Sequence, residues 1–214
     1  MTSNDALILD LATGLAPVRR RNPWREALWV LALAGAELAL LLAFGAMRPD
    51  MGRVILSPFM IWKMGSLAML TGISLVVAMR SFSPPVSARH GMTVALGLAG
   101  LAMIGGMGMA PPVEGGGSLL DRLAPAHGLL CVTAIIVLAL PLMLALAWLM
   151  QRAAPVHPRR SAFASGFAAS TCAGLVFTAC CPMNDPLYII VWYSVGVAAV
   201  TLLARWLLPG RLRL

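Results

Sequence analysis

The chain has 214 residues, of which 60% are hydrophobic and only 11% charged, with a formal net charge of +8. Six stretches of roughly twenty apolar residues, each long enough to cross a ~30 Å hydrocarbon core as a helix, take up nearly all of it. No connecting segment exceeds about twenty residues, too few to bury a core of its own, so a separate soluble domain is excluded. The charge is not a nucleic-acid footprint either, because the arginines are scattered over short segments and never form a stripe.

Residues 1–26 read as a tail carrying a short helix. Leu7, Ile8, Leu11 and Leu15 fall within about a 100° arc at helical spacing, while Asp10 and Thr13 point away. Ser3 or Asn4 can cap the start, and Pro17 ends the segment. So short a helix is marginal alone and should order only against something. Helices that lie on membranes usually carry Lys or Arg on the polar face. This one carries Asp5 and Asp10, which suit a protein groove with a basic rim and leucines as anchors.

Residues 27–208 form an all-α transmembrane domain, with spans near 27–46, 58–79, 91–110, 128–150, 161–180 and 187–208, followed by a tail at 209–214. Lys63 and Pro141 interrupt the second and fourth spans, and packed neighbours can absorb one charge or one proline. The first span follows basic residues as a signal peptide would. It is longer, however, and its Phe44-Gly45-Ala46 end lacks a small-x-small cleavage pattern, so it is read as uncleaved.

Arginine placement orients the spans. Arg19, Arg20, Arg21, Arg25, Arg80, Arg89, Arg152, Arg159, Arg160, Arg205, Arg211 and Arg213 lie on one side, and Arg48, Arg53 and Arg122 on the other. This asymmetry predicts that both termini are cytoplasmic. Pro17-Val18-Arg19-Arg20, Pro85-Val86-Ser87-Ala88-Arg89 and Pro155-Val156-His157-Pro158-Arg159-Arg160 recur at similar spacing. Three tandem helical hairpins, each opened by a proline turn and a basic anchor, would give that pattern.

A stripe of small residues, Ala162, Gly166, Ser170, Gly174 and Thr178, predicts close packing of the fifth span. Glu37 and Lys63 fall inside the bilayer at similar depth, and a structural ion pair between them is expected.

Sulfur is the remaining chemistry. On this topology Cys131, Cys180 and Cys181 lie at the outer face, whereas Cys172 is about two turns deeper and reads as structural. His127 precedes Cys131 by one helical turn. Thiols at an oxidising face form disulfides or stay reactive, and Cys131 and Cys181 with His127 would also suit a soft metal ion.

The run from Leu7 to Arg20, the Arg48-Pro49-Asp50 turn, Ala154-Pro155, and Cys181-Pro182-Met183-Asn184-Asp185-Pro186-Leu187 followed by Trp192-Tyr193 resemble the NrsF family. The resemblance implies a six-span bacterial inner-membrane anti-sigma factor without catalytic activity. Its partners would be an extracytoplasmic-function (ECF) sigma factor and the bilayer, with no direct contact to nucleic acid. It assigns sigma capture to the tail, over Asp5, Leu7, Ile8, Asp10, Leu11, Leu15, Pro17, Val18 and Arg19. Metal or oxidative stress sensing falls on Cys131 and Cys181. Cys180 stands where the family commonly has His. No cofactor is expected beyond a soft metal ion acting as the signal. A quinone-linked membrane thiol oxidoreductase is the rival reading, and it would normally need a second redox pair. A small transporter is a third.

Overall fold

The computed structural model describes residues 3–13, 22–83, 88–108, 122–153 and 155–209. Among these there are eight helices and no strand: α1 (Ser3–Thr13), α2 (Pro23–Ala43), α3 (Met51–Val54), α4 (Pro58–Ser81), α5 (Arg89–Gly108), α6 (Pro125–Ala153), α7 (Pro158–Phe177) and α8 (Pro186–Leu207). Five of them open on a proline, whose missing N–H would have no intrahelical partner in the first turn anyway. Asn22, Ser57 and Asp185 cap α2, α4 and α8 by accepting hydrogen bonds from first-turn N–H groups. Pro141 lies within α6 without ending it.

α7 is the centre of the bundle. It packs on α4, α6 and α8, and its Ala162, Gly166, Ser170, Gly174 and Thr178 stripe is buried as expected. At Gly166 a Cβ would meet the Ala204 side chain and, at 3.0 Å, the Thr201 Cα, so the glycine sets the α7–α8 approach. Hydroxyls bridge α4 and α7: Ser74 and Thr171 share a 3.2 Å hydrogen bond, and Ser161 donates to the Ser81 carbonyl.

Among the described residues, α2, α4, α5, α6 and α8 are long and apolar enough to cross a membrane. The fifth expected span, α7, has the length but not the apolarity. Its neighbours are helices and not lipid, so Ala, Ser and Gly replace the large apolar residues a lipid-facing helix needs.

The hairpin expectation holds for α7 with α8 and fails in the middle. α5 packs on α4 and α8 rather than pairing with α6. The Trp62 indole N–H donates to the Ala102 carbonyl at 3.0 Å, and its ring lies where a side chain on Gly106 would sit. One large side chain thus fixes α5 against α4.

The expected Glu37–Lys63 ion pair does not form. Both are buried, and among the described residues neither carboxylate oxygen of Glu37 nor the Lys63 Nζ has a hydrogen-bond partner. Similar depth did not give a similar bearing. α2 spreads its contacts over α4, α6 and α7, and Glu37 acts electrostatically on Cys172 of α7. Lys63 turns toward α8, with its Nζ 5.3 Å from the centre of the Tyr193 ring.

Candidate functional site

The helix ends opposite the arginine-rich end converge on the segment joining α7 to α8. Arg48, only 2% exposed, clamps it from the α2–α3 connection. Its Nε and one terminal nitrogen donate to the two Asp50 carboxylate oxygens, both at 2.7 Å. The other terminal nitrogen donates to the Cys181 carbonyl at 3.2 Å and to Asn184 Oδ1 at 3.0 Å. This forked geometry is one a lysine could not supply. Arg122 grips Asp185 through two hydrogen bonds of 2.9 and 3.0 Å. Two of the three arginines at this end therefore hold one loop in place.

The loop delivers Cys181, fully buried, to Cys131 of α6. The two thiols are close enough to shift each other's ionisation and are not bridged. Cys131 also shares a 3.1 Å hydrogen bond with the Tyr188 hydroxyl of α8. Gly128 makes this approach possible: the Trp192 ring occupies the space a Cβ there would need, and its N–H donates to the Leu123 carbonyl at 2.7 Å. Cys131 lies one turn further along the same buried face of α6.

Four elements therefore meet at one pair of thiols: α4 through Lys63, α6 through Cys131, the α7–α8 loop through Cys181, and α8 through Tyr188 and Tyr193. The neighbouring Cys131 thiol, the Lys63 charge and the Met183 N–H together outweigh burial and hold the Cys181 thiol below the usual range. Lys63 and Tyr193 make no well-formed hydrogen bond; they act on Cys181 through charge and dipole.

Cys180 is only half-buried and stands apart from this pair. Cys172 is buried within α7. The expected metal set of His127, Cys131 and Cys181 does not assemble, and among the described residues no three His, Cys, Asp or Glu side chains group as ligands. The buried face of α6 runs through Gly128, Cys131 and Ile135. His127, one residue off that face, is turned outward and exposed. A two-thiol arrangement remains, which can be oxidised to a disulfide or can share a soft ion completed by other ligands.

In the tail, α1 covers the expected helix, and Ile8 and Leu11 are each 63% exposed. Asp5 is exposed as well. The side chains of Leu7 and Asp10, together with Leu15, Pro17, Val18 and Arg19, lie outside the described residues.

Sequence reading alone missed Tyr188, Gly128 and the role of Lys63 beside Cys181. Tyr193 and Arg48 stood in the runs that carry the resemblance, but nothing in their spacing tied them to the cysteines.

Asp185 gives a check on how the loop is held. Burial, which would raise its carboxyl, is overcome by the Arg122 hydrogen bonds and the Leu187 N–H, and the group titrates below its ordinary value. Its contribution is therefore complete above the ordinary carboxylate range and is lost as pH falls through the lowered folded value. Asp185→Asn keeps an oxygen for the cap but loses the ionised group that Arg122 grips, so it should lower thermal stability at neutral pH and abolish the loss on acidification. Asp185→Ala should cost about 1 kcal/mol from the lost cap. Thermal unfolding of the detergent-solubilised variants measures the difference, and equal midpoints would show that the cap is unimportant.

A helical membrane protein with a clamped pair of buried thiols at one end, and no other cluster of ligand side chains among the described residues, is the class that fold and site define. The family described as "Negative regulator of sigma F" matches residues 11–214, and the chain belongs to this NrsF family, whose role is regulatory rather than catalytic. It is 30% identical over 207 residues to the anti-sigma-F factor NrsF of Caulobacter vibrioides, covering 94% of this chain and 93% of that one. It is 31% identical over 199 residues to the probable anti-sigma-F factor NrsF of Azospira oryzae, covering 89% and 90%. No solved structure matches.

Proposed function

We propose that this protein is an inner-membrane anti-sigma factor that holds an ECF sigma factor through its tail, residues 1–26, and frees it when the Cys131–Cys181 pair changes state. The transmembrane domain, residues 27–208, crosses the bilayer six times with both termini cytoplasmic, and 209–214 is a short cytoplasmic end. Family membership supports the regulatory role. The observation that carries the mechanism is the apposition of the two thiols where four elements meet.

The switch works by differential packing. A two-electron oxidant such as a peroxide takes two electrons and two protons from the pair, is itself reduced to water, and leaves one S–S bond. A soft ion such as cadmium would instead replace thiol protons and draw both sulfurs toward itself. Either event favours a different spacing of α6 against the α7–α8 loop, and a packed bundle answers by moving helices as units. The tail, presented by α2, then leaves its sigma-binding state. Asp5 and Asp10 face the basic rim of the sigma factor's groove, and Leu7, Ile8, Leu11 and Leu15 fill it.

The test is co-purification. The full chain, solubilised in detergent from its own bacterium, should retain a sigma factor identifiable by mass spectrometry. A chain lacking residues 2–20 but present at equal membrane level should retain none. Retention by the shortened chain would remove the tail as the capture element, and absence of any sigma factor from the full-length sample would overturn the reading.

A further inference from the structure

A cavity of about 390 Å³ lies between α4, α5, α7 and α8, within the size range of small-molecule sites. Leu96 and Met103 of α5 and Leu202 of α8 line it and are exposed, so it opens sideways between two helices long and apolar enough to cross the membrane. A ligand would enter from the bilayer. The lining is almost wholly apolar, and Trp62, Phe163, Phe167 and Tyr193 bring aromatic rings to it. The Ser66, Thr171 and Thr201 hydroxyls in the wall each donate to a carbonyl of their own helix. Two buried donors are left over. Lys63 and Tyr193 line the cavity at 1% and 4% exposure, and neither the Nζ nor the phenol oxygen has a hydrogen-bond partner among the described residues. They stand together, the Nζ 5.3 Å from the ring centre, and both act on Cys181, so the thiol pair lies beside this end of the cavity. Orphaned buried donors cost free energy that an acceptor would return.

We propose that this cavity takes a membrane quinone, with a ring carbonyl accepting hydrogen bonds from Lys63 and Tyr193 and the chain running toward Leu202, and that the bound quinone oxidises the Cys131–Cys181 pair. The site stands on the cavity and its two donors, whereas the oxidation rests on the switch proposed above. The acceptor is neutral because Cys181 already answers the Lys63 charge, and a carboxylate would set a second anion beside it in an apolar space. A planar ring also suits the aromatic walls. In the reaction the Cys181 sulfur adds to a ring carbon, and the Cys131 sulfur then displaces it, so that the C–S bond breaks as the S–S bond forms. The electron pair passes to the ring and the two thiol protons to its oxygens, which leaves a hydroquinone.

The probe is decylubiquinone, added without oxygen to the reduced, detergent-purified full chain. The parent should form hydroquinone and Cys131–Cys181 disulfide in equal amounts, read by absorbance and by mass after alkylation. Binding is read separately, as quinone retained on re-isolated Cys131→Ser, which keeps Cys181 beside Lys63 but cannot close the S–S bond. In that background Tyr193→Phe should weaken retention about three- to tenfold, the worth of one hydrogen bond, and Lys63→Met about tenfold or more. Ala99→Phe, which fills the cavity with both donors in place, should abolish it. No retention by Cys131→Ser, unchanged retention with Ala99→Phe, or displacement of the quinone by laurate at equal concentration would overturn the site. Retention by Cys131→Ser with no disulfide in the parent would overturn the quinone as oxidant. Full oxidation of a parent that still holds its sigma factor would support the quinone site and count against the switch instead.

Discussion

Cells carrying Cys131→Ser or Cys181→Ser in place of the parent chain are expected to keep sigma-dependent transcription low at rest and to fail to raise it under cadmium or oxidant. Neither substitution touches the tail, so capture should persist. At Cys131 the serine oxygen can keep the hydrogen bond to Tyr188 that the thiol makes at 3.1 Å, and the α6–α8 contact should survive. What is lost is the second sulfur, without which neither an S–S bond nor a shared soft ion can draw the loop toward α6. Cys180→Ser and Cys172→Ser should respond like the parent, because neither thiol belongs to the pair. The measurement is activity of a sigma-dependent promoter with and without stress, at matched membrane levels of each variant. Normal induction in the Cys131→Ser, Cys181→Ser double variant would return both residues to ordinary packing.

Leu11→Asp should do the opposite and make sigma-dependent transcription constitutive. Ile8 and Leu11 are each 63% exposed, so replacing one leaves the bundle intact and the protein at its normal level. Anchors of this kind carry most of the affinity of a helix in a groove, and an aspartate there would bury an unpaired charge as well. The combined loss should reach several kcal/mol, enough to release the partner. Thr13→Asp, on the face away from the leucines, should change repression far less. Promoter activity without stress, read alongside membrane abundance, decides it: unchanged repression by Leu11→Asp at equal abundance would remove the leucine face as the capture surface.

How legible the molecule was depends on whether a feature is local. The span expected to start at 58 does start at Pro58, and those expected from 27 and 187 start at Pro23 and Pro186, where a cap residue stands beside a proline. The small-residue stripe of α7 was readable because close helix approach requires small side chains at a fixed spacing, wherever the partner lies. Bearing around the bundle was not. Glu37 and Lys63 were expected to meet, yet Lys63 turned to Tyr193 and Cys181; His127 was expected beside Cys131, yet only Cys131 lies on the buried face.

By itself the sequence determined the helical membrane class, the charge asymmetry between the two ends, the helix positions to within about a turn and the presence of cysteines at one end. Each is set by residues near one another in the chain, through apolar length, capping and spacing. Only the tertiary structure decided that Cys181 and not Cys180 meets Cys131, that Lys63 serves that pair instead of Glu37, and that α5 leaves α6 for α4 and α8. Those outcomes depend on how helices rotate against their neighbours, and that rotation is fixed by single contacts between distant residues, such as the Arg48 clamp on the Cys181 carbonyl and the Trp192 ring over Gly128.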